Sequence, residues 1–494
     1  MQKPKAIAAG QLESAAGRLL DAGGRMQMVY AWHPEPEQIE LRYVAHERPL
    51  KPFSVWTCRP SKPVPSLAHI WPLLSWYERE ITDLFGFPFQ DQPQPEPLVL
   101  LAGAEPAIPP FDPHFPASVE LGVKVSKIAL PKVAGAEAAV QLLPFGPVRA
   151  DVLESAEFFF LYIGEAILHL STRLFFKHRA MEKRFEGKSA ELGVILAERV
   201  SGVGSIAHAL AYCQAVEIAS KCTVPPRAHY LRVLLAELER LYNHLHYFGH
   251  LCHTTTLKVG EAEGKLLEER AKQLNGRLTG SRLLRGVLAL GGLRHDLSPE
   301  TWLGAELGAL REAFAGYAAR LEDTDSYLDR LITTGPLEKE VAFEQGATGP
   351  IERGSGVDRD LRRDHPYAAY ANLPFKVALR DAGDAHARAQ VRMEEVNSSI
   401  SLMQQVLDHL PEGPVLEPCE ITPRSEGLGW SESPRGTLFY AVHFDENAKL
   451  ARVKIKSPSF SNWRAFPFTV HQTNMMDYAI NEASFGLTIA GCDR

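Results

Sequence analysis

Residues 197–208 read A-E-R-V-S-G-V-G-S-I-A-H, and two different chemistries fit parts of that run. Gly202, Gly204 and Ala207 satisfy G-x-G-x-x-G/A, in which small residues let a backbone approach a pyrophosphate at a helix N-terminus. The overlapping R-V-S-G-V-G has the outline of the metal-binding loop R-x-C-G-x-C, with Ser201 and Gly204 in place of both sulfurs. A dinucleotide loop needs a strand before it. Here E-L-G-V-I-L-A-E-R-V, with Glu198 and Arg199 directly ahead of the turn, fits a helix better, and the helical pattern continues to Ala219. Small residues that let two helices approach, or an emptied metal loop, are the readings that remain.

A second cluster lies in Y-N-H-L-H-Y-F-G-H-L-C-H. His246, His250 and His253 recur at i, i+4 and i+7, with His244 and Cys252 nearby, and neutral imidazoles on one face of a helix can bind zinc. No carboxylate completes that face, so a surface or interface cluster stands beside the zinc reading. A third group, Glu78, Arg79, Glu80 and Asp83, shares one short helix and in isolation could supply catalytic carboxylates.

The chain that must position these groups has 494 residues and a formal charge of -7. That length exceeds one core and implies roughly two to four domains. Acidic and basic residues are interleaved, which argues against a nucleic-acid footprint. The six cysteines (Cys58, Cys213, Cys222, Cys252, Cys419 and Cys492) are widely spaced without C-x-x-C, which fits a reducing compartment, and disulfides are not expected. The N-terminus lacks the apolar core of a signal peptide, and no window approaches the ~18 uninterrupted apolar residues of a spanning helix. Membrane contact is therefore expected only through partner proteins.

Alternation of apolar and polar residues from Arg25 to Thr57, around a turn rich in Pro and Glu, predicts a hairpin; Leu67 to Phe85 has helical spacing. Prolines crowd Phe87 to Pro116, predicting an extended connector, with a domain boundary near residue 135. Glu154 to Phe176 reads as a second hairpin. Helical periodicity dominates Glu191–Ser220, Arg227–Cys252, Gly260–Leu290, Pro299–Ile332 and Asp384–Leu410. Gly436 to Lys456 returns to alternation around Asp445-Glu446-Asn447, a third hairpin.

Several of these segments resemble known sequences. W-Y-E-R-E-I-T-D-L-F-G-F-P-F (Trp76 to Phe89) resembles the signature of the smaller peripheral-arm subunit of respiratory complex I. G-P-V-R, K-H-R-A-M-E-K, A-E-R-V-S-G, A-E-L-E-R-L-Y-N-H-L and L-N-G-R-L-T-G-S-R-L-L-R-G resemble its larger neighbour and the large subunits of membrane-bound nickel–iron hydrogenases, formate hydrogenlyase included. S-G-V-D-R-D-L-R-R-D-H-P-Y, S-P-R-G-T-L-F-Y and S-P-S-F-S-N-W continue the match in family order, so the chain resembles a fusion of both subunits. The resemblance implies an α+β protein: a small α+β domain over 1–90, a Pro-rich linker over 91–135, and over 136–494 a mainly helical hydrogenase-large-subunit-like domain with peripheral β-hairpins.

The hydrogenase family holds nickel and iron with four cysteines, two in R-x-C-G-x-C and two in a C-terminal D-P-C-x-x-C, because such a centre requires soft thiolates. By the resemblance those positions are Ser201, Gly204, Thr488 and Gly491, with Gly486 in place of the aspartate and Cys492 one position off. The complex I relatives also lack the cysteines and place a quinone head group in the vacated cavity, using a histidine and a tyrosine; those positions fall on Arg149 and Leu196. A cavity lined by Arg149, Arg199, Ser201, Gly204, Thr488 and Gly491 is expected. Arg149 would favour an anionic head group there, or else pair with Glu154 or Glu165.

His178, Arg179, Glu182 and Lys183 match the family's H-R-G-x-E-K, with Ala180 in place of glycine; in relatives this segment lies near the closest iron–sulfur cluster of the neighbouring subunit. Arg359, Arg362, Arg363 and Asp364 are expected to form an ion-pair lattice where two subunits meet. The resemblance implies no tightly bound cofactor in this chain, no metal of its own, a possible quinone, and a [4Fe-4S] cluster in a partner. The partners implied are an iron–sulfur small subunit and antiporter-like membrane subunits, and the location is cytoplasmic, peripheral on the inner face of the cell membrane. The function implied is that of an electron-transfer subunit of a complex I-like (NADH:quinone) or formate-hydrogenlyase-like oxidoreductase with its nickel–iron site lost. An active hydrogenase and a non-redox scaffold are the alternatives.

Overall fold

A computed structural model describes residues 4–100, 106–116, 130–132, 139–149, 154–299 and 302–494; the boundary expected near residue 135 lies outside them. The first alternating stretch forms antiparallel strands Arg25–Glu35 and Gln38–His46. Ser54–Cys58 pairs with the free side of Gln38–His46, and Lys5–Ala6 adds a parallel edge to a four-stranded sheet. The helix Leu12–Asp21 buries Leu12, Ala16 and Leu19. The helix expected over Leu67–Phe85 is shorter: Pro72 opens a 3-10 turn, Pro72–Leu74, and the α-helix runs from Ser75 to Phe85. Proline tolerates the start of a helix, where its missing N–H is not needed.

The second hairpin, Glu157–Ile163 with Ala166–Arg173, gains a third antiparallel strand, Gln141–Phe145. Beyond it come the helices Ala190–Ala197, Ser205–Ser220, Pro226–Thr254, Lys258–Thr279, Leu303–Glu322 and Ala385–Asp408. The pattern expected to run on to Leu290 stops at Gly280, whose φ of +75° closes the helix, and Leu288–Ala289 pairs with Gly292–Leu293 instead. Ile332 lies outside the helix Leu303–Glu322 because a separate turn of helix, Asp325–Leu331, follows it.

The third hairpin, Gly436–Phe444 with Leu450–Lys456, also gains a strand, Glu426–Ser433. This sheet is interior: every residue of Gly436–Phe444 is buried. It lies against the helix Ser205–Ser220 at a distance only glycine permits, since a Cβ at Gly429 would sit 2.1 Å from the Ala211 carbonyl oxygen.

One expectation is corrected. Cys222, just past the end of the Ser205–Ser220 helix, is bonded to Cys419 with a Cα–Cα distance of 5.2 Å. Sequence spacing misled because a separation of 197 residues is bridged by the fold. The arginine lattice takes its counter-ions from within the chain. Arg362 bonds Asp360 (2.7 Å) and Glu237 (3.2 Å), Arg353 bonds Glu432 (3.0 Å) and Glu395, and all these side chains are at most 2% exposed. Buried charges need such partners within the chain. Arg363, by contrast, reaches Asp358 and Asp364 near the surface.

Candidate functional site

Glu198 to Gly204 form the turn between the helices Ala190–Ala197 and Ser205–Ser220. Its backbone is pinned on several sides. Val203 O accepts from Asn243 Nδ2 (2.9 Å) and Tyr242 OH (3.2 Å), Glu198 Oε1 accepts from Gly286 N (2.8 Å), and Arg179 Nη1 donates to Arg199 O (3.1 Å). A helix precedes the turn, not a strand. The amides of Ile206 and Ala207, which a phosphate would need, already donate to Glu239 at 2.6 and 3.0 Å. Burial holds the Glu239 carboxyl up at about 7, against the lowering effect of those amides. The loop is therefore not a nucleotide cradle.

The C-terminal half of the site is built by a helix break. Gly486, at φ +64°, ends the helix Tyr478–Phe485, and Thr488 caps the short helix Ile489–Asp493 by accepting from Gly491 N at 3.2 Å. Buried Arg388 and Arg392 hold the polar groups at the end of the first helix: Arg388 donates to Ser484 Oγ (2.7 Å) and Arg392 to Phe485 O (2.9 Å). Cations suit that negative end. The amides of Ile489 and Ala490 donate to Glu154 at 2.5 and 3.1 Å.

The two halves meet. A Cβ placed on Gly491 would lie 2.5 Å from Thr488 Oγ1 and 3.6 Å from Ser201 Oγ, so Ser201, Thr488 and Gly491 share one spot. Gly204 is one turn away, where a Cβ would lie 3.3 Å from the His208 ring. Two further residues belong here that sequence reasoning missed. Ser459 Oγ lies 3.3 Å from Thr488 Oγ1 and accepts from Thr488 N at 3.3 Å. Arg435 donates to Gly486 O (2.7 Å) and Asn243 Oδ1 (2.7 Å), and burial pushes its guanidinium down to about 10. Both stand in family-like motifs, S-P-S-F-S-N-W and S-P-R-G-T-L-F-Y, and that is the signal that could have found them.

Arg149 and Arg199 take other directions. Arg149, fully buried, makes a two-pronged pair with Glu482 at 2.8 and 3.1 Å between the rings of Phe145 and Phe158. Its counter-ion is thus neither Glu154 nor Glu165, since the fold brings a residue 333 positions away to its fork. Arg199, half exposed, folds back to Ile195 O at 2.8 Å.

The K-H-R-A-M-E-K segment clasps the C-terminal residues. His178 Nδ1 donates to Asp493 O (2.7 Å), and Arg179 N donates to Arg494 O (3.0 Å). Ala180 accepts the left-handed backbone its motif assigns to glycine, at φ +52°. Asp493 Oδ2 accepts from Lys177 N (2.9 Å), while Oδ1 is buried without a partner among the described residues; burial lifts this carboxyl to about 7, with nearby Glu154 adding to the rise.

The histidine ladder is real but engaged. The rings of His246, His250 and His253 stack nearly parallel at 6.3 and 6.4 Å. Carboxylates do complete the face, from the next helix: His246 Nδ1 meets Glu268 at 3.1 Å and His253 Nδ1 meets Glu261 at 3.0 Å. His244 points inward to Glu395 at 2.6 Å. Among the described residues no group of three ligating side chains is arranged to hold a metal ion, and no helix is long and apolar enough to cross a membrane. Glu78 is structural, accepting from Ser66 Oγ, Leu67 N and Gln92 Nε2, and Asp83 caps the amides of Leu98, Val99 and Leu100.

Three family descriptions match successive parts of the chain. Residues 7–119 match the family described as respiratory-chain NADH dehydrogenase, 30 Kd subunit. Residues 266–427 and 418–494 match the 49 Kd subunit, and residues 179–275 match nickel-dependent hydrogenase. Formate hydrogenlyase subunit 5 of Escherichia coli is 32% identical over 68% of this chain, which spans 60% of that relative's length. Hydrogenase-4 component G of the same organism is 30% identical over 84% of this chain and 73% of its own length. The C/D subunit of NADH-quinone oxidoreductase from Rhodopseudomonas palustris is 27% identical over 87% of this chain and 82% of its own. Among solved structures, a chain of the archaeal membrane-bound sulfane sulfur reductase superposes with a TM-score of 0.68 at 25% identity, covering 72% of this chain and 99% of its own. The chain therefore belongs to the family that unites fused complex I peripheral-arm subunits with the large subunits of membrane-bound nickel–iron hydrogenases.

Proposed function

We propose that this chain is a peripheral subunit of a membrane-associated oxidoreductase of the complex I or formate hydrogenlyase type, lying against an iron–sulfur subunit on the inner face of the cell membrane, and that it has lost nickel–iron chemistry. One observation carries the reading: where relatives present four thiolates, Ser201, Thr488 and Gly491 share a single spot, with Gly204 a turn away. A binuclear nickel–iron centre needs soft, deprotonated sulfur that can bridge two metals. Hydroxyls and bare backbone do not supply it. Cys492 is the nearest sulfur in sequence, and burial holds its thiol well above its ordinary value, in the protonated form that binds metals poorly. The residues do not fit the group, so hydrogen chemistry is not assigned to this chain.

Its remaining role is to shape an electron path that ends in the partner. Arg179, a half-buried cation beside the segment that faces the partner's cluster in relatives, would favour the reduced, more negative cluster. A quinone would meet the hydroxyls of Ser201, Ser459 and Thr488 in place of imidazole and phenol. A non-redox scaffold is the second reading, favoured by Arg149, whose charge Glu482 already neutralises.

The native assembly, purified without a tag, tests the first reading through elemental analysis and hydrogen evolution. Iron and acid-labile sulfide from the partner without nickel or hydrogen evolution are expected; stoichiometric nickel with hydrogen evolution overturns it. Redox titration of the same assembly with quinones then separates electron transfer from a scaffold.

A further inference from the structure

A small pocket lies between the N-terminal sheet and the interior sheet. Arg25 and Gln27 line it from the strand Arg25–Glu35, Lys456 from the end of Leu450–Lys456, Arg464 from the helix Pro458–Ala465, and Arg359 from a loop. Of these, Arg25, Gln27, Lys456 and Arg464 are each at most 7% exposed. Among the described residues, four cations thus border the space and no carboxylate does. The nearest acid, Glu352, is taken by Arg25 at 3.0 Å and Arg359 at 3.7 Å.

The unmet demand inside is for an acceptor. Lys456 Nζ makes two long bonds, to Gln27 Oε1 (3.3 Å) and Thr437 Oγ1 (3.2 Å), which leaves a third N–H to spare. Gln27 Nε2 is buried with no partner among the described residues. Arg464 donates there only to the carbonyls of Pro72 and Glu344. Burial drives the Lys456 ammonium down to about 7 and the Arg464 guanidinium down to about 9. Buried charge without a counter-ion is costly, and the pocket has room for a small species. Water would satisfy the donors but leave the excess positive charge.

We propose that this pocket binds one small inorganic anion, held between the Lys456 ammonium, the Gln27 amide and the Arg464 guanidinium, with chloride as the probe. Because Gln27 belongs to the N-terminal sheet while Lys456 and Arg464 belong to the C-terminal part, the anion clips the two together.

The test uses the full chain. Its thermal midpoint is compared in sodium chloride and in sodium gluconate at about 0.15 M ionic strength, where general screening is matched. Chloride is expected to raise the midpoint by roughly 2–4 °C, and crystals soaked in bromide are expected to show an anomalous peak beside Lys456 Nζ and Gln27 Nε2. Lys456→Met removes the ammonium and is expected to abolish the chloride effect. Gln27→Glu builds a carboxylate into the cavity and keeps the site charge-balanced, so it is expected to fold, lose the chloride effect and show no bromide peak. A cavity holding only water, or a chloride effect of undiminished size in Gln27→Glu, overturns the proposal.

Discussion

Arg494 Nη2 donates to Glu80 Oε1 over 2.8 Å, linking the C-terminal helix to the E-R-E helix 414 residues earlier. Lys454 also reaches Glu80, and Glu182 accepts from Arg452 (2.7 Å), Lys454 (3.1 Å) and Arg494 (3.1 Å), so two buried carboxylates face three buried cations. The E-R-E signature is thus the N-terminal half of an internal clasp. Removing one partner of such a cluster strands charge in the interior. Glu80→Gln is expected to lower stability by about 3–5 kcal/mol in urea titrations.

The same cluster sets a pH limit. Burial would raise the Glu182 carboxyl, but Lys454, Arg452 and Arg494 together hold it well below its ordinary 4.5. A carboxyl with a depressed folded value stabilises the protein above that ordinary value and loses the contribution as pH falls below it. Stability measured against pH should therefore decline from about pH 4.5 downward, and less steeply in Glu182→Gln.

Ala180 sits at φ +52° and ψ 40°, where a Cβ is disfavoured and glycine is not. Ala180→Gly is expected to raise stability by about 0.5–1 kcal/mol, the relief of strain less the extra entropy of glycine in the unfolded chain. Ala180→Val should do the reverse. A stabilising valine would show that the left-handed turn is absent.

Arg149 and Glu482 form the pair that replaces the expected anion site. Arg149→Met and Glu482→Leu each break the two-pronged pair and are expected to cost about 1–3 kcal/mol, while the double substitution is expected to cost less than the sum of the two. A double variant as unstable as the sum of the singles would mean that each residue serves some other partner.

Much of the fold is legible locally. The periodicity of Ser205–Ser220 and Pro226–Thr254, and the alternation of Gly436–Lys456, follow from which residues face a core within one element. The turn around Ser201 and Gly204 is legible too, because motif order fixes its place between two helices. What no local pattern carries is long-range partnership. Arg149 meets Glu482 rather than Glu154, Cys222 meets Cys419, and Ser459 arrives beside Thr488 only because a helix break and an interior sheet bring them together. Helix ends depart from the periodicity where a single residue decides them, as at Pro72 and Gly280.

The crowding of Thr488 against Gly491 makes a non-additive prediction. Thr488 Oγ1 caps the last short helix by accepting from Gly491 N, and it occupies the space a Cβ on Gly491 would need, 2.5 Å away. Thr488→Ala removes the cap and is expected to cost about 1 kcal/mol. Gly491→Ala forces the hydroxyl aside, losing the cap and adding strain, for about 1–3 kcal/mol. In the double variant the obstructing oxygen is gone and the cap cannot be lost twice, so the combined cost should fall below the sum by about 1 kcal/mol. Urea titration of the four proteins measures this. Strict additivity would mean that the threonine hydroxyl and the glycine do not share one spot, and the compact, thiolate-free centre inferred from them would have to be abandoned.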